Sequence, residues 1–182
     1  SIDKMCWAMK GEMPTSAIAL GGRQVRNTPD FGQIYDHFSV AYEYASGVRG
    51  FHHCRQQEGC ANQTADFYSG TKGACEIEGN RRIHLIRGEN SWKYQGPYNN
   101  MYQTEHDELF ASIRKGEPIN DGVWMAQSTM MAILGREAAY TGQKISWDEI
   151  MNSQQDLSPP KYEWDVSLPI PEVAMPGITK FF

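Results

Sequence analysis

The sequence predicts an α+β fold: a mainly antiparallel, open-faced β-sheet with helices packed on one face, followed by an extended Pro-rich C-terminal arm. Two observations support this class. Strand-like segments precede the long helical segments instead of alternating with them, and the last part of the chain is rich in proline. Segregated strands and helices favour an antiparallel sheet with helices on a single side. We therefore assign residues 1–156 to one α/β domain and residues 157–182 to the arm.

The first half of the chain predicts one short helix and six strands. The helix is expected over 2–9, and the strands over 17–25, 38–44, 48–55, 67–69, 74–77 and 81–86. The clearest hairpin turns at Ser46-Gly47, and a two-residue loop would pair Tyr44 with Arg49 and Tyr42 with Phe51. That register packs an aromatic face on the helices. It leaves open a small polar face made of His37, Ser39, Ala41, Glu43, His52, Cys54 and Gln56.

A first long helix is predicted from residue 102 onward. Tyr102, His106, Leu109 and Ile113 recur at helical spacing, so we expect this stripe to face a core. Gly116 and Pro118 end the helix, since Gly accepts the left-handed conformation and Pro cannot continue a helix.

A second long helix, capped by Asn120 or Asp121, is predicted to end at Gly142. Its inward positions are Val123, Ala126, Met130, Ile133 and Leu134. Ser146 and Glu149 stand three residues apart, which is the spacing of a capping box at the start of a last short helix. From Leu157 the prolines 159, 160, 169, 171 and 176 favour an extended arm.

Composition excludes several classes of function. The 182 residues carry a formal net charge of −5 and no basic run, which argues against nucleic-acid binding. No apolar stretch reaches the about 20 residues that a membrane-spanning helix needs. The four cysteines match no common zinc ribbon, so we expect free thiols packed as small apolar groups. A Cys54–Cys60 disulfide in an oxidising compartment is the alternative.

Four blocks of sequence resemble the C-terminal part of the Gfo/Idh/MocA family of NAD(P)-dependent oxidoreductases, most closely the members that end in a Pro-rich tail. SIDKMCW is similar to the end of the family pattern Asp-x-x-x-His-x-x-Asp, with Asp3 as its last Asp. FYSGTKGACEIEG resembles the family's strand–Gly–x–x–Gly–strand turn, which alone would be weak. MYQTEHDELFASIRKGEPINDG and AILGREAAYTGQKISWDEI resemble its closing helices, and these two blocks are specific.

The resemblance implies a domain that supplies substrate and oligomer contacts, with the N-terminal Rossmann domain absent from this chain. It implies that the family's acid–base His stands one residue before Ser1 and that its Lys also lies outside, so Asp3 could only support catalysis by orienting that His. Asp3 could equally cap the first helix. NAD or NADP is the cofactor implied for the full-length parent. None is expected bound to this segment, because no Gly-x-Gly-x-x-Gly follows a strand.

The main candidate substrate-binding residues surround His106. Its imidazole could transfer a proton or hold a sugar hydroxyl, and the alternative is a core histidine bonded to a nearby carbonyl. The preceding loop adds stacking faces and donors suited to a carbohydrate-like substrate. These neighbours are Trp92, Lys93, Tyr94, Tyr98 and Tyr102.

Three other groups of residues have competing interpretations. Arg23 could bind an anionic or hydroxylated substrate, or form a surface salt bridge. The run His52-His53-Cys54 suggests zinc, but two histidines on opposite faces of a strand make poor joint ligands, so we expect no metal. The arginines 81, 82 and 87 are interpreted as a solvated strand edge.

The leading functional hypothesis is the substrate-binding and oligomerisation domain of an NAD(P)-dependent oxidoreductase acting on a sugar or polyol-like substrate, inactive without its Rossmann half. NAD-dependent glycoside cleavage stays open as a variant. The alternative is a stand-alone, non-catalytic assembly or ligand-binding module on the same scaffold. We expect a homo-oligomer formed through the open sheet face and the arm, no nucleic-acid or membrane partner, and a cytoplasmic or periplasmic location.

Overall fold

A computed structural model describes residues 1–182 and confirms the α+β class. The elements in chain order are α1 (Ile2–Ala8), β1 (Ser16–Gly22), β2 (His37–Glu43), β3 (Arg49–Arg55), β4 (Asp66–Gly70), β5 (Gly73–Glu78), β6 (Ile83–Gly88), β7 (Trp92–Lys93), α2 (Met101–Lys115), α3 (Gly122–Thr141), β8 (Ile145–Ser146) and α4 (Trp147–Met151). Residues 157–182 form neither helix nor strand, as expected of an extended arm.

The strands form two four-stranded antiparallel sheets, whereas the sequence analysis expected one. Their orders are β3-β2-β1-β8 and β4-β5-β6-β7. The break falls in residues 56–65, a polar stretch in which no strand forms. The chain accordingly divides into a core unit, Ile2–Cys60 with Ala126–Phe182, and a hairpin unit, Ala61–Met125.

The core unit is built on the covered face of its sheet. Tyr42 is fully buried there, and its hydroxyl donates to the carbonyl oxygen of Met131 on α3 at 3.0 Å. Gly135 permits this approach, because a Cβ at that position would lie 2.6 Å from the Tyr42 hydroxyl oxygen. From α1, the buried Cys6 places its Sγ 3.5 Å from the Met131 sulfur. The small residue on α3 therefore sets how closely helix and sheet pack.

Helix α3 follows the predicted pattern only in its second half. Leu134 is fully buried, as predicted, together with Met131, Gly135, Ala138 and Ala139. The predicted inward positions Val123 and Ala126 are exposed, and Met130 and Ile133 are partly buried. The buried residues begin at Met131, so the first turns of the helix lack the sheet contact that the pattern implied.

The predicted register of the β2–β3 hairpin is wrong by one residue. Glu43 pairs with Arg49 and Ala41 with Phe51, because the turn has three residues instead of two. The Tyr44 N–H donates to the Val48 carbonyl at 3.1 Å, and Gly47 adopts a left-handed φ of 82° that few other residues accept. The faces predicted for β2 are right, with Val40 and Tyr42 buried, but the slip moves every side chain of β3 to the opposite face of the sheet.

The slip places an apolar row on the open face of the core unit, whose other β2 and β3 residues are His37, Ser39, Glu43, Arg49, His53 and Arg55. Ile18, Ala41 and Phe51 form one cross-strand row, and Leu20 leads the next. Leu20 is 76% exposed and Phe51 61% exposed. His52 and Cys54, predicted on the open face, lie on the covered side instead, opposite Val40 and Phe38.

The predicted helix boundaries at Gly116 and Ser146 are found, and Asn100 caps α2 without having been predicted. The Asn100 side chain accepts the N–H of Tyr102 at 3.0 Å at the start of α2, and Gly116 ends that helix in the left-handed conformation. Ser146 and Glu149 form the predicted capping box at α4. The Gly70–Gly73 pair closes the hairpin that the glycine turn predicted.

The expected core-facing stripe of α2 is wrong for this chain. Tyr102, Leu109 and Ile113 are exposed, and Ser112 is the helix's only buried residue. No other element of the hairpin unit covers these apolar side chains, so the helical period is right but the stripe has no partner here.

All four cysteines are free thiols, but only Cys6 is buried as a small apolar group, and Cys54 is exposed. None of the helices combines the length and the apolar character needed to cross a bilayer.

Candidate functional site

An aromatic cluster lies at the β6–β7 end of the hairpin unit. The Trp92 ring centroid is 6.2 Å from that of Tyr94, which is 5.9 Å from that of Tyr98. His84, on the neighbouring strand β6, lies 6.1 Å from both tyrosine rings. Trp92 and Tyr98 are about half exposed, so the cluster presents ring faces to solvent instead of forming a closed core. We name these four residues the ring cluster.

Backbone acceptors fix the orientation of the tyrosines in the ring cluster. Tyr94 donates its hydroxyl to the Pro97 carbonyl at 2.6 Å, and Tyr98 donates to the Arg82 carbonyl at 2.7 Å. The buried Nδ1 of His84 has no hydrogen-bond partner in the chain. Ring faces held by their own hydroxyls form a rigid platform suited to stacking against the apolar face of a sugar.

A shallow groove runs along the first turns of α2. It has a volume of about 410 Å³ and is lined by Asn100, Tyr102, Gln103, His106, Asp107 and Phe110. His106 is exposed, and its Nδ1 lies 2.7 Å from the carbonyl oxygen of Tyr102. Because a carbonyl only accepts, Nδ1 is the donor of this hydrogen bond. His106 is thus bonded to a carbonyl, as its structural alternative proposed, but at the surface and not in a core.

Lys93 is separated from the residues with which the sequence analysis grouped it. It pairs with Leu85, whereas Trp92 pairs with Ile86. Successive side chains of a strand point to opposite faces, so Lys93 lies on the other side of the sheet from Trp92.

The two candidate residues of the core unit have mainly structural contacts. Arg23 donates from Nη1 to the Gly32 carbonyl at 2.8 Å, and its buried Nε has no hydrogen-bond partner. Arg23 makes no salt bridge, so the surface ion-pair interpretation does not hold. Asp3 lies in the first turn of α1, where its charge complements the positive end of the helix dipole.

A buried carboxylate at the start of β2 escaped the sequence analysis. Asp36 is 2% exposed, and its Oδ2 accepts the backbone N–H groups of Gln24, Val25 and Arg26 at 2.7, 2.8 and 3.1 Å. Its Oδ1 lies 2.8 Å from Nδ1 of His37. Burial alone would raise the pKa of Asp36, but these hydrogen bonds outweigh it and hold the pKa well below the usual range. Asp36 therefore anchors the loop after β1.

The geometry of the histidine pair opposes a zinc site at β3. His52 pairs with Val40 on the covered face, and His53 pairs with Ser39 on the open face, where its Nδ1 lies 3.0 Å from the serine hydroxyl. The two rings point away from each other, as the strand alternation predicted.

The other residues of interest that sequence reasoning missed are His84 and Arg82. The Arg82 guanidinium lies 4.7 Å from the centroid of the Tyr98 ring. Its two neighbours in the predicted solvated set do form surface ion pairs, Arg81 with Glu78 and Arg87 with Glu76. The only signal for Arg82 in the sequence is a basic residue placed between a turn and β6, ahead of the aromatic residues that begin at Trp92.

Comparison with solved structures identifies the fold. No family model matches the chain, and no curated protein sequence matches it. The chain has the fold of the corresponding part of Gfo/Idh/MocA-type oxidoreductases, and it spans less than half the length of the matching structures compared below.

Three matches illustrate the range of these structures. The aldose-aldose oxidoreductase from Caulobacter crescentus, complexed with glycerol, has a TM-score of 0.64 and 20% identity, covering 80% of this chain and 44% of its own. The UDP-N-acetylglucosamine 3-dehydrogenase GnnA from Acidithiobacillus ferrooxidans has a TM-score of 0.64 and 13% identity, covering 75% and 43%. The WlbA dehydrogenase from Bordetella pertussis, in complex with NADH and UDP-GlcNAcA, has a TM-score of 0.57 and 18% identity, covering 80% and 41%. At these identities the likeness establishes the fold.

Proposed function

We propose that this chain is the substrate-binding and oligomerisation domain of an NAD(P)-dependent oxidoreductase that acts on a sugar or polyol-like substrate. The observation that carries the proposal is the fold shared with longer oxidoreductases, of which the match covers less than half. One of them is bound to NADH and UDP-GlcNAcA and another to glycerol. Because one fold can serve many functions, the ring cluster supplies the second, chemical support.

The cofactor belongs, in this proposal, to a separate Rossmann domain. A dinucleotide pyrophosphate is held at the turn between a strand and a helix of a parallel β–α–β unit. Every strand pair of this chain is antiparallel, so its own residues do not fit NAD or NADP. The acid–base His and Lys that the family resemblance implies also lie outside the chain, and Asp3 is left a supporting role.

Substrate contacts are assigned to the ring cluster and to the α2 groove. Trp92 and Tyr94 offer stacking faces, while Tyr102 and His106 offer a hydroxyl and an imidazole at the surface. Lys93 and Arg23 complete the proposed set, although Lys93 lies on the opposite sheet face and Arg23 already binds a loop carbonyl.

The decisive experiment uses the full-length protein encoded by the open reading frame that contains this segment. The proposal expects a strand–Gly-rich-turn–helix unit and a His immediately before Ser1, and NAD(P)-linked turnover of a member of a sugar and polyol panel. A start codon or an unrelated domain at that place would instead favour the non-catalytic module. Calorimetry on the 182-residue chain should detect no micromolar NAD or NADP binding.

Self-association is proposed through the apolar row on the open face of the core unit. Phe51→Asp places a charge in the row that Ile18 and Ala41 share, so we expect self-association to weaken by more than about tenfold, as for a typical interface anchor. Sedimentation equilibrium measures this. Phe67→Asp is the matched control, because Phe67 is equally exposed at 61% but lies in the hairpin unit. Equal sedimentation of wild type and Phe51→Asp would rule out this face.

The arm is proposed as a second oligomer contact, although its final residues already bind the core unit. Gly177 donates to the Thr141 carbonyl at 2.8 Å, Tyr35 donates to the Ala174 carbonyl at 2.8 Å, and the Phe182 carbonyl accepts from Gln154. Earlier in the arm, before these anchors, Trp164 is fully exposed. Deleting everything after Asp156 would therefore remove core contacts too, and point substitution at Trp164 is the cleaner way to examine the arm.

A further inference from the structure

The guanidinium of Arg82 is held against an aromatic ring instead of a carboxylate. It lies 4.7 Å from the Tyr98 ring centroid, and no carboxylate of the chain lies within ion-pairing distance of it. Arg81 and Arg87, in contrast, are each paired with a glutamate. A guanidinium stacked on a ring keeps its in-plane N–H groups available as a donor fork.

The backbone also fixes the position of Arg82. Its φ of 55° is left-handed, a conformation that is unfavourable for a non-glycine residue. Its N–H donates to the Gly79 carbonyl at 3.0 Å, and its own carbonyl accepts the Tyr98 hydroxyl at 2.7 Å. Tyr98 therefore contacts both the backbone and the guanidinium of Arg82, which ties the charge to the ring cluster.

Neither of two carboxylates around the ring cluster, Glu78 and Asp66, neutralises the Arg82 guanidinium. Glu78 is buried and already paired with Arg81 at 3.3 Å. Asp66 is in register with His84 through Ile77, two strands away, which is roughly 9–10 Å. The N–H fork of Arg82 is thus the cationic group without a counter-charge beside this platform.

We propose that Arg82 binds an anionic group, a carboxylate or a phosphate, of a sugar whose ring stacks on Trp92 and Tyr94. Planar guanidinium N–H groups match the two oxygens of either anion, and the stacked Tyr98 ring holds them in place. This inference rests on the proposed function, because it takes the ring cluster as the substrate platform. It narrows the substrate to acidic or phosphorylated sugars.

Calorimetry on the intact 182-residue chain tests the inference with glucuronate, glucose 6-phosphate, glucose and inorganic phosphate. At least one anionic sugar should bind about tenfold or more tightly than glucose and than inorganic phosphate, and its affinity should fall with added salt. The anionic sugar that binds more tightly, glucuronate or glucose 6-phosphate, shows whether Arg82 prefers a carboxylate or a phosphate. Equal binding of all three sugars, or binding of inorganic phosphate as tight as that of the sugar phosphate, would overturn the inference.

Three variants separate this inference from the proposed function. Asparagine suits the left-handed backbone, so the Arg82→Asn variant should fold normally. Its affinity for anionic sugars should fall to its affinity for glucose. Arg81→Asn removes the neighbouring charge, which is already paired with Glu78, and should leave the affinity for anionic sugars unchanged. Trp92→Ala should weaken the binding of every sugar, including glucose. An anion preference that survives Arg82→Asn contradicts the inference alone, whereas a wild-type chain that binds no sugar contradicts the platform as well.

Discussion

Gly88→Ala is expected to disrupt the four-stranded sheet of the hairpin unit. Gly88 has a φ of 145°, and a Cβ added there would lie 2.1 Å from the carbonyl oxygen of Lys72 and 2.6 Å from the Cα of Gly73. Both contacts are with backbone, so no side-chain rotation relieves them. The β5 and β6 strands would have to separate at the Gly73–Gly88 pair, at a cost of more than about 3 kcal/mol.

Amide hydrogen exchange in β4, β5 and β6 measures this effect directly, because it reports the opening free energy of each strand. Gly79→Ala is the matched control in the same unit: no heavy atom lies within 4 Å of its added Cβ, and its backbone is not left-handed. The control should stay within about 0.5 kcal/mol of wild type. Similar losses of protection in both variants would contradict the steric argument.

Local sequence signals predicted those parts of the fold whose partners lie within a few residues. The capping box of Ser146 and Glu149, the left-handed Gly116 and the Gly70–Gly73 turn all depend on contacts inside one turn of chain. The residue types alone are enough to predict these local contacts.

The sequence failed where one residue of loop length or one distant partner decides the outcome. The loop that contains Gly47 has three residues instead of two, and that single difference carried Phe51 to the open face. The α2 stripe has the spacing of a core face, but periodicity does not state what covers it. The fold class, by contrast, depends only on the order of strands and helices and was predicted.

The candidate site was predicted in the same uneven way. Trp92, Tyr94 and Tyr98 are adjacent along the chain and do form one cluster, whereas Lys93 is removed from it by strand alternation. Arg82 was assigned to solvent because its ring partner is sixteen residues away and its left-handed backbone has no sequence signature. Asp36 was missed because a carboxylate that accepts N–H groups ten to twelve residues earlier leaves no local pattern.

Asp36→Ala is expected to destabilise the core unit by about 2–3 kcal/mol, because it leaves the N–H groups of Gln24, Val25 and Arg26 without their acceptor. Asp36→Asn keeps one acceptor oxygen in a side chain of the same shape. It should therefore lower the free energy of unfolding at neutral pH by less than Asp36→Ala does. Urea unfolding measures both variants. Asp30→Asn is the control, since Asp30 is an exposed carboxylate in the same connection between β1 and β2. It should change the free energy of unfolding by less than about 0.5 kcal/mol.

The pH dependence separates the charge of Asp36 from its shape. The folded pKa of Asp36 lies below its unfolded value of about 3.9, so its contribution to stability is complete above that pH and is lost as the pH falls toward the folded pKa. The difference in unfolding free energy between wild type and Asp36→Asn should therefore be largest near pH 7 and shrink progressively below about pH 4. A difference that is the same at pH 7 and pH 3 would show that the ionised carboxylate is not what anchors the loop.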